Sequence, residues 1–185
     1  GARTDLQELS KVCRSRGIFL MVDAAQSLGI VPTDVNDLGV DALACSAQKG
    51  LLGIYGQGLL YCRKEWARTM NPPFLSSSNV EGTAHESELG DIEHVVLSDG
   101  AVRFETGNPN FMGIFALDRA LDLLESASLQ RIYAHVSYLG NRLIADLRGR
   151  GYRVVTPEPN ERRAGIIVFE HSNPGELVRD LAGHQ

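Results

Sequence analysis

Two short apolar runs, each ending in polar residues, most constrain the fold of this chain. Residues 18–22 form a continuous apolar run that ends at Asp23, and residues 42–45 form a second run that leads into Ser46 and Lys49. The first run is typical of a strand covered on both faces rather than an edge strand. Because neighbouring strands of one sheet deliver the residues that follow them to a common edge, we expect Asp23 and Lys49 to lie close together.

Helical patterns alternate with these runs, which predicts an α/β fold. The sequence Thr4-Asp5-Leu6-Gln7 is a capping-box pattern that opens an amphipathic helix, and Gly17 follows the last turn of that helix. Residues 34–39 indicate a short helix or turn, and a glycine-rich turn leads into a third strand at residues 59–62. A helix that opens almost at the first residue predicts that the chain is part of a longer protein.

The second half of the chain has a different pattern. Residues 71–99 contain prolines, serines and scattered acids with little periodicity, which predicts a long loop or boundary region. Helical spacing recurs twice from residue 111 onward, and Asn173 begins a strong helix-start pattern. Strand-like runs between them lie at residues 152–155 and 166–169. We therefore expect residues 1–100 to carry the sheet and the long loop, and residues 101–185 to form a turn, helices and a smaller α+β unit.

Composition and cysteine usage narrow the class of protein. A formal net charge of -5, a pI near 5.5 and the lack of a Lys/Arg cluster argue against a nucleic-acid surface. No run approaches the roughly 18 apolar residues that a membrane span needs. Cys13, Cys45 and Cys62 lack CxxC or metal spacing, which favours buried thiols in a reducing cytosol. The sequence thus predicts a cytoplasmic protein that binds neither nucleic acid nor membrane.

Neither metal nor nucleotide motifs are present in the sequence. The histidines lack the spacing of metal ligands, so no metal site is predicted; they are His85, His94, His135, His171 and His184. The glycines between residues 50 and 58 belong to neither a P-loop nor a dinucleotide fingerprint, and a turn is the better interpretation.

An acid and a lysine at one sheet edge can hold an aromatic cofactor. Taken alone, each residue is usually a turn former or a solvated side chain. Together they have a specific use, because a lysine can bond covalently to a carbonyl carbon. An aspartate beside a pyridine nitrogen keeps that nitrogen protonated, which makes the ring an electron sink.

Four segments around this pair carry a recognisable pattern. They are residues 22–29 (VDAAQSLG), 41–53 (DALACSAQKGLLG), 58–61 (GLLY) and 103–110 (RFETGNPN). The first three resemble the class V aminotransferase family of pyridoxal-phosphate enzymes, which includes cysteine desulfurases and isopenicillin N epimerase-like proteins. The fourth looks like that family's second signature, usually R-F-E-x-G-T-P. The resemblance covers nearly the whole chain and matches the later half of the family's length.

The resemblance implies a fold, an assembly and a substrate class. The fold would be α/β, a portion of a three-layer, aspartate-aminotransferase-like large domain with a partial, mostly parallel sheet, followed by a smaller α+β C-terminal domain. Residues 1–100 would then be the later part of the cofactor-binding domain. Family members are homodimers with shared active sites, and they act on small amino acids.

The resemblance also implies pyridoxal 5'-phosphate as the cofactor, with Lys49 as the Schiff-base lysine. Asp23 would pair with the pyridinium nitrogen, and Ala25 would pack on the face of the ring. Gln26 would hydrogen-bond the phenolic oxygen, and Ser46 would bind the cofactor phosphate. These residue types suit those tasks, since a positive ring nitrogen favours an acid and a phosphate favours a hydroxyl donor.

Two positions depart from the family's usual pattern. Gln48 stands where the family has a His that helps to hold the phosphate. Asn108, which follows Gly107, stands where the family has a Thr that reaches into the neighbouring subunit's phosphate site. Both side chains are still hydrogen-bond donors, so Gln48, Gly107 and Asn108 are also predicted to bind the cofactor. No cysteine follows Cys62, which disfavours persulfide chemistry.

The leading prediction is therefore a pyridoxal-phosphate enzyme that acts on an amino acid by C–S lysis, transamination or epimerisation. The alternative is a non-catalytic fragment or relict, in which the same motifs serve folding and subunit contacts. A nucleotide-binding α/β domain is a third, weaker interpretation, because the phosphate fingerprint is missing.

Overall fold

A small sheet in the first hundred residues organises the computed structural model, which describes residues 1–82 and 95–183. Its strands are β1 (Met21–Asp23), β2 (Ala42–Ser46) and β3 (Gly58–Cys62), in that spatial order. β1 is parallel to β2, whereas β2 is antiparallel to β3. The described sheet is thus mixed rather than mostly parallel. The short connection from β2 to β3 explains this, because antiparallel neighbours can be joined by a turn and parallel ones need a longer crossover.

Helices make up most of the remaining regular structure. They are α1 (Leu6–Ser15), α2 (Val35–Leu38), α3 (Lys64–Ala67), α4 (Phe111–Ala127), α5 (Leu129–Gly149) and α6 (Pro174–Ala182). Short 3-10 helices cover Gly100–Phe104 and Asn160–Arg162. No helix in the described part of the chain is long and apolar enough to cross a membrane.

Polar side chains cap α1 and α6 at or next to the predicted positions. The cap of α1 is Asp5 rather than Thr4, because the Asp5 carboxylate accepts a hydrogen bond from the Glu8 backbone N–H at 3.1 Å. Asn173 caps α6 in the same way, as predicted. Gly39 follows the last residue of α2, and its φ of 67° is the left-handed conformation that glycine adopts most readily.

The main hydrophobic core joins β2 to α4. Leu43 and Cys45 of β2 belong to one buried cluster with Leu117 and Leu124 of α4, and Val40 is completely buried in it. Burying a side chain of this size contributes about 1.5 to 3 kcal/mol. This packing ties the sheet to the helix that follows residue 110.

The prediction that residues 18–22 form a strand covered on both faces was wrong for the described structure. β1 begins only at Met21, lies at the edge of the described sheet, and leaves Met21 55% exposed. Side chains alternate along a strand, so Val22 points to the core while its two neighbours point to the opposite face. That face carries the cleft described below.

The strands predicted at residues 152–155 and 166–169 are extended segments joined by one antiparallel bridge, between Val154 and Phe169. The Val168 backbone N–H donates to the Thr156 hydroxyl at 2.7 Å instead of to a backbone carbonyl. A side chain therefore takes the place of a ladder hydrogen bond, which explains why no regular strand continues here.

The predicted long loop is only partly described. Residues 71–82 and 95–99 form turns and bends, with an antiparallel bridge between Val80 and Leu97. Residues 83–94, with His85 and His94, lie outside the described residues, as does His184.

Candidate functional site

Asp23 and Ser46 lie on one face of the sheet, at the carboxyl ends of two parallel strands. The register aligns Asp23 of β1 with Ala44 of β2, and Ala44 in turn with Leu60 of β3. Because side chains alternate between the two faces, Ser46 points to the same side as Ala44 and Asp23. This side is opposite to the core.

The turn after β1 holds the Asp23 carboxylate in place. The Ala24 backbone N–H donates to the Ala44 carbonyl at 2.8 Å, which extends the strand pairing by one residue. The Asp23 Oδ1 atom accepts a hydrogen bond from the Ala25 backbone N–H at 2.9 Å. Asp23 itself is exposed, so its carboxylate is oriented by the backbone and open to a ligand.

The turn after β2 holds the backbone of Lys49. Its carbonyl accepts from the Leu52 backbone N–H at 3.0 Å, and Leu52 has a left-handed φ of 57°. Ala47 donates to the Gln57 carbonyl and accepts from the Gly53 N–H, both at 2.9 Å. The Lys49 side chain is exposed on this fixed turn.

Two glycines let the turns after β1 and β2 touch. A Cβ atom added to Gly29 would overlap the carbonyl oxygen of Gly50, and one added to Gly50 would overlap the carbonyl oxygen of Leu28. Gly29 also has a φ of 81°, in the region that favours glycine. The loop that follows Asp23 is therefore in direct backbone contact with the loop that carries Lys49.

A cleft of about 770 Å³ opens over this face of the sheet, beside the turns that follow β1 and β2. Four of the predicted site residues line it, namely Asp23, Ala25, Ser46 and Lys49. The structure also adds a wall that the sequence did not predict, which we call the third wall. It consists of Ala101 and Phe104 of the 3-10 helix and of Glu105, which follows that helix. The arrangement combines one amine, two carboxylates and one hydroxyl around a space large enough for a small molecule.

The other predicted residues lie outside the lining of this cleft. Gln26 lines a smaller neighbouring cavity of about 230 Å³ that shares Asp23 with the cleft. Gln48 is half-buried in the turn before Lys49. Gly107 accepts a hydrogen bond from the Ser78 hydroxyl at 3.1 Å, and Asn108 is exposed.

The pKa of the Cys45 thiol depends on burial and on the charges of both Asp23 and Lys49. Burial raises the pKa of its thiol, the negative charge of Asp23 raises it further, and the positive charge of Lys49 lowers it. The acid and the amine therefore both act on one atom. Burial is the largest of these effects, and the pKa of the Cys45 thiol lies above its ordinary value, which disfavours the thiolate.

Sequence reasoning missed Gln57, Phe104 and Glu105 as cleft residues. The Gln57 side chain packs against Gly113 of α4, where an added Cβ would lie 2.6 Å from its amide nitrogen. The sequence signal that could have identified Gln57 is its position as a polar residue between Gly56 and Gly58. Phe104 and Glu105 lie in the segment that resembles the family's second signature, but no sequence pattern predicts that they share a cleft with Lys49.

An ion-pair cluster links the third wall to α3. Asp99 accepts two hydrogen bonds from the Arg68 guanidinium, at 2.7 and 3.0 Å, and its Oδ2 atom lies 2.9 Å from the Lys64 ammonium. The hydrogen bond from Arg68, followed by that from Lys64, holds the pKa of the Asp99 carboxyl well below its usual range. All three side chains are largely exposed, so salt screens the cluster.

We expect Asp99→Asn to lower the stability of the protein at neutral pH and to have no such effect in strong acid. A carboxyl whose folded pKa is lowered contributes stability above its unfolded pKa of about 3.9. That contribution is lost as the pH falls through the folded value. Urea unfolding of wild type and variant from pH 7 downward measures the difference, which should shrink below about pH 4. A difference that stays constant with pH would contradict the ion-pair account.

Comparison with known proteins shows that this sequence is similar to members of one protein family. The sequence model of the family "Aminotransferase class-V" matches residues 1–177. A Pyrococcus abyssi protein named "Probable cysteine desulfurase" is 31% identical over 169 residues, which is 91% of this chain and 40% of the relative. The chain thus spans about 40% of the length of that relative.

Solved structures agree on the fold. The apo structure of a cysteine desulfurase from Thermococcus onnurineus superimposes with a TM-score of 0.87 at 29% identity, covering 100% of this chain and 45% of that one. A C-DES mutant with glycine covalently linked to its PLP cofactor has a TM-score of 0.82 at 22% identity, covering 97% and 47%. The second likeness concerns the fold alone.

Proposed function

Because the chain belongs to the class V aminotransferase family, we propose that the protein carrying it is a pyridoxal-phosphate-dependent enzyme that acts on an amino acid. The single observation that carries this proposal is the cleft, where an acid, an amine, a hydroxyl and a small side chain meet on one side of the sheet. These are the groups that hold a flat, positively charged ring with a phosphate.

The residues present fit that cofactor. The exposed Asp23 carboxylate, oriented by the Ala25 N–H, suits a protonated pyridine nitrogen, which it would keep protonated. The small side chain of Ala25 leaves room for a ring, and the Ser46 hydroxyl can donate to a phosphate oxygen. When bound, pyridoxal phosphate supplies an electron sink for negative charge at the substrate's α-carbon.

Lys49 is the residue that we assign to covalent attachment and proton transfer. Its amine would bond to the cofactor as the Schiff-base lysine and would move a proton at the substrate's α-carbon. Two observations support this role. Lys49 lines the cleft, and the other lysines of the chain, Lys11 and Lys64, lie instead in ion pairs with Glu8 and Asp99.

The remaining predicted contacts are part of the same proposal. Gln26, Gln48 and Gly107 are assigned to the cofactor's oxygen and phosphate groups, and their positions next to the cleft-lining segments support this. Asn108 is assigned to the phosphate site of a second subunit in a homodimer. Its exposure on the loop before α4 is compatible with a contact to another chain.

The reaction branch is proposed as C–S lysis, transamination or epimerisation. The relatives named as cysteine desulfurases support C–S lysis. Within this chain, however, no cysteine follows Cys62, and Cys45 is a buried thiol with a raised pKa. The chain's own cysteines therefore do not favour persulfide formation.

We propose that residues 1–100 are the cofactor-binding part and residues 101–185 the turn, helices and smaller α+β unit. The three strands of the sheet all lie in the first part, which supports this division. The bridge between Val154 and Phe169 supports an α+β character of the second.

A non-catalytic relict of the same fold is the second candidate. It is favoured by the positions of Gln48 and Asn108, neither of which lines the cleft. Such a protein would keep the core and the subunit contacts but would not retain the cofactor. Retention of pyridoxal phosphate therefore distinguishes the enzyme from the non-catalytic relict.

The test is to add pyridoxal phosphate to the full-length protein, remove the excess on a desalting column and record the absorption spectrum. We expect a band near visible wavelengths that survives desalting in the wild type and in Lys64→Ala, and that is missing in Lys49→Ala. A wild type without any lysine-dependent band would overturn the enzyme proposal and favour the relict.

A further inference from the structure

A buried arginine anchors the third wall of the cleft. Arg103 is only 8% exposed, and its guanidinium donates to three backbone carbonyls: those of Ser98 at 3.1 Å, Arg68 at 2.9 Å and Met70 at 3.1 Å. Two of these carbonyls follow α3, and the third precedes the 3-10 helix that contains Arg103 itself. One side chain therefore joins Arg103 to carbonyls that lie 35 and 33 residues earlier in the sequence.

A second set of contacts, at the surface, connects the same two segments, namely the α3 region and the start of the 3-10 helix. Asp99, next to Ser98, pairs with Arg68 and Lys64 of the α3 region. Because these side chains are exposed, this outer set contributes less than the buried one. The two sets fix the beginning of the 3-10 helix relative to α3.

The contacts of Arg103 and Asp99 fix the position of the third wall. Ala101 and Phe104 belong to the anchored 3-10 helix, and Glu105 continues from it with its backbone N–H donating to Val102 at 2.9 Å. The carbonyl of Glu105 accepts from the Ser76 hydroxyl at 3.2 Å. Every one of the wall's three cleft-lining residues is therefore within two positions of Arg103.

The opposite wall is held by different contacts. Asp23 ends β1 and Lys49 lies on the turn after β2. The turns that follow the two strands meet at Gly29 and Gly50, and none of the hydrogen bonds described for them involves Arg103. The two sides of the cleft can therefore be perturbed separately.

We propose that Arg103 is a positioning residue that sets the third wall, and with it Phe104 and Glu105, against the bound amino acid substrate. The inference rests on the proposed function, because it assumes that the cleft holds a cofactor on Lys49 and a substrate beside it. Loosening the wall should weaken substrate binding and leave covalent attachment of the cofactor unchanged at saturating pyridoxal phosphate. Lys49, Asp23 and Ser46 lie outside this wall. Gly107 is the one cofactor contact within the same subunit that we assign to the segment after it.

The test compares Arg103→Met with Arg163→Met in the full-length protein. Arg163 is a matched control, because it is also buried (2% exposed) and donates to backbone carbonyls, those of Pro157 and Glu158, but does not line the cleft. For Arg103→Met we expect an unchanged lysine-dependent absorption band. The KM for L-cysteine or L-alanine, used as probes, should rise roughly tenfold or more, with a smaller change in kcat.

Hydrogen–deuterium exchange provides a readout that does not depend on turnover. Peptides that cover residues 98–105 should exchange faster in Arg103→Met than in the wild type, and no faster in Arg163→Met. Arg103→Lys, which keeps one charged donor group, should recover part of both effects. If Arg103→Met does not fold, Asp99→Asn removes the outer contacts instead and should raise exchange and KM in the same direction, by less.

Two sets of results would overturn the inference. One is an unchanged KM and unchanged exchange over residues 98–105; the other is an equal effect in Arg163→Met. Failure of the proposed function looks different, since the wild type would then lack the lysine-dependent band while the exchange experiment still measured how Arg103 anchors the wall.

Discussion

Replacing Lys49 with Ala in the full-length protein is expected to abolish turnover, by about 10⁴-fold or more. The amine is the one lysine nitrogen of the chain that lines the cleft, and no other described lysine can take its place. In the proposed function Lys49 both bonds covalently and transfers a proton, so its loss would remove two catalytic contributions at once. Turnover is measured with L-cysteine and L-alanine as probes, against the wild type.

Lys64→Ala is the control for this experiment, because it also removes one lysine but lies on α3, in the exposed cluster with Asp99. We expect it to keep most of the activity. The circular dichroism spectrum of Lys49→Ala should match that of the wild type, since an exposed side chain contributes little to stability. A Lys49→Ala protein that retains a substantial share of wild-type turnover would contradict the assignment.

Gly29→Ala is expected to destabilise the protein by about 2 to 5 kcal/mol. Two effects add at this position. The added Cβ would be forced into a left-handed backbone conformation, and it would overlap the Gly50 carbonyl, which is backbone and cannot turn away. The turn that carries Lys49 would have to move, so the lysine-dependent absorption band should weaken as well.

Two further glycine variants separate these effects. Gly56→Ala is strained in the same way, with a φ of 82°, but its Cβ has nothing within 4 Å, so we expect a loss of about 1 to 2 kcal/mol. Gly50→Ala would overlap the Leu28 carbonyl without a left-handed φ, and should cost about 1 to 3 kcal/mol. Urea unfolding measures all three. Equal losses for Gly29→Ala and Gly56→Ala would show that the two turns do not press against each other.

The sequence predicted the part of the site that depends on local pattern. An apolar run followed by Asp23, and a second followed by Ser46 and Lys49, predicted that these residues lie at one edge of a sheet. The register of β1 and β2 confirms that the two strands are parallel neighbours, and all three residues line one cleft. The predicted helices correspond to α1, α2, α4, α5 and α6, and they follow from local signals, namely apolar spacing and, at several of them, a polar cap. The short helix α3 was not predicted.

The rest of the site depends on contacts between distant segments. The approach of Gly29 to Gly50 requires two turns to be stacked, and the third wall requires α3 to meet residues 98–104 through Arg103. Neither of these contacts produces a periodic pattern in the sequence, so sequence reasoning could not find them. The exposure of Met21 was missed for a related reason, because an apolar run does not tell which of its residues will face a cleft instead of a core.

Borohydride reduction of the full-length protein with pyridoxal phosphate, followed by mass mapping of its peptides, tests the central claim most directly. Reduction makes the bond between a lysine and the cofactor permanent, so the modified residue can be identified. The chain offers three candidates, Lys11, Lys49 and Lys64. We predict that the cofactor mass is found on the peptide containing Lys49 and on neither of the others. A label shared among the three lysines, or found on another lysine of the protein, would contradict the account.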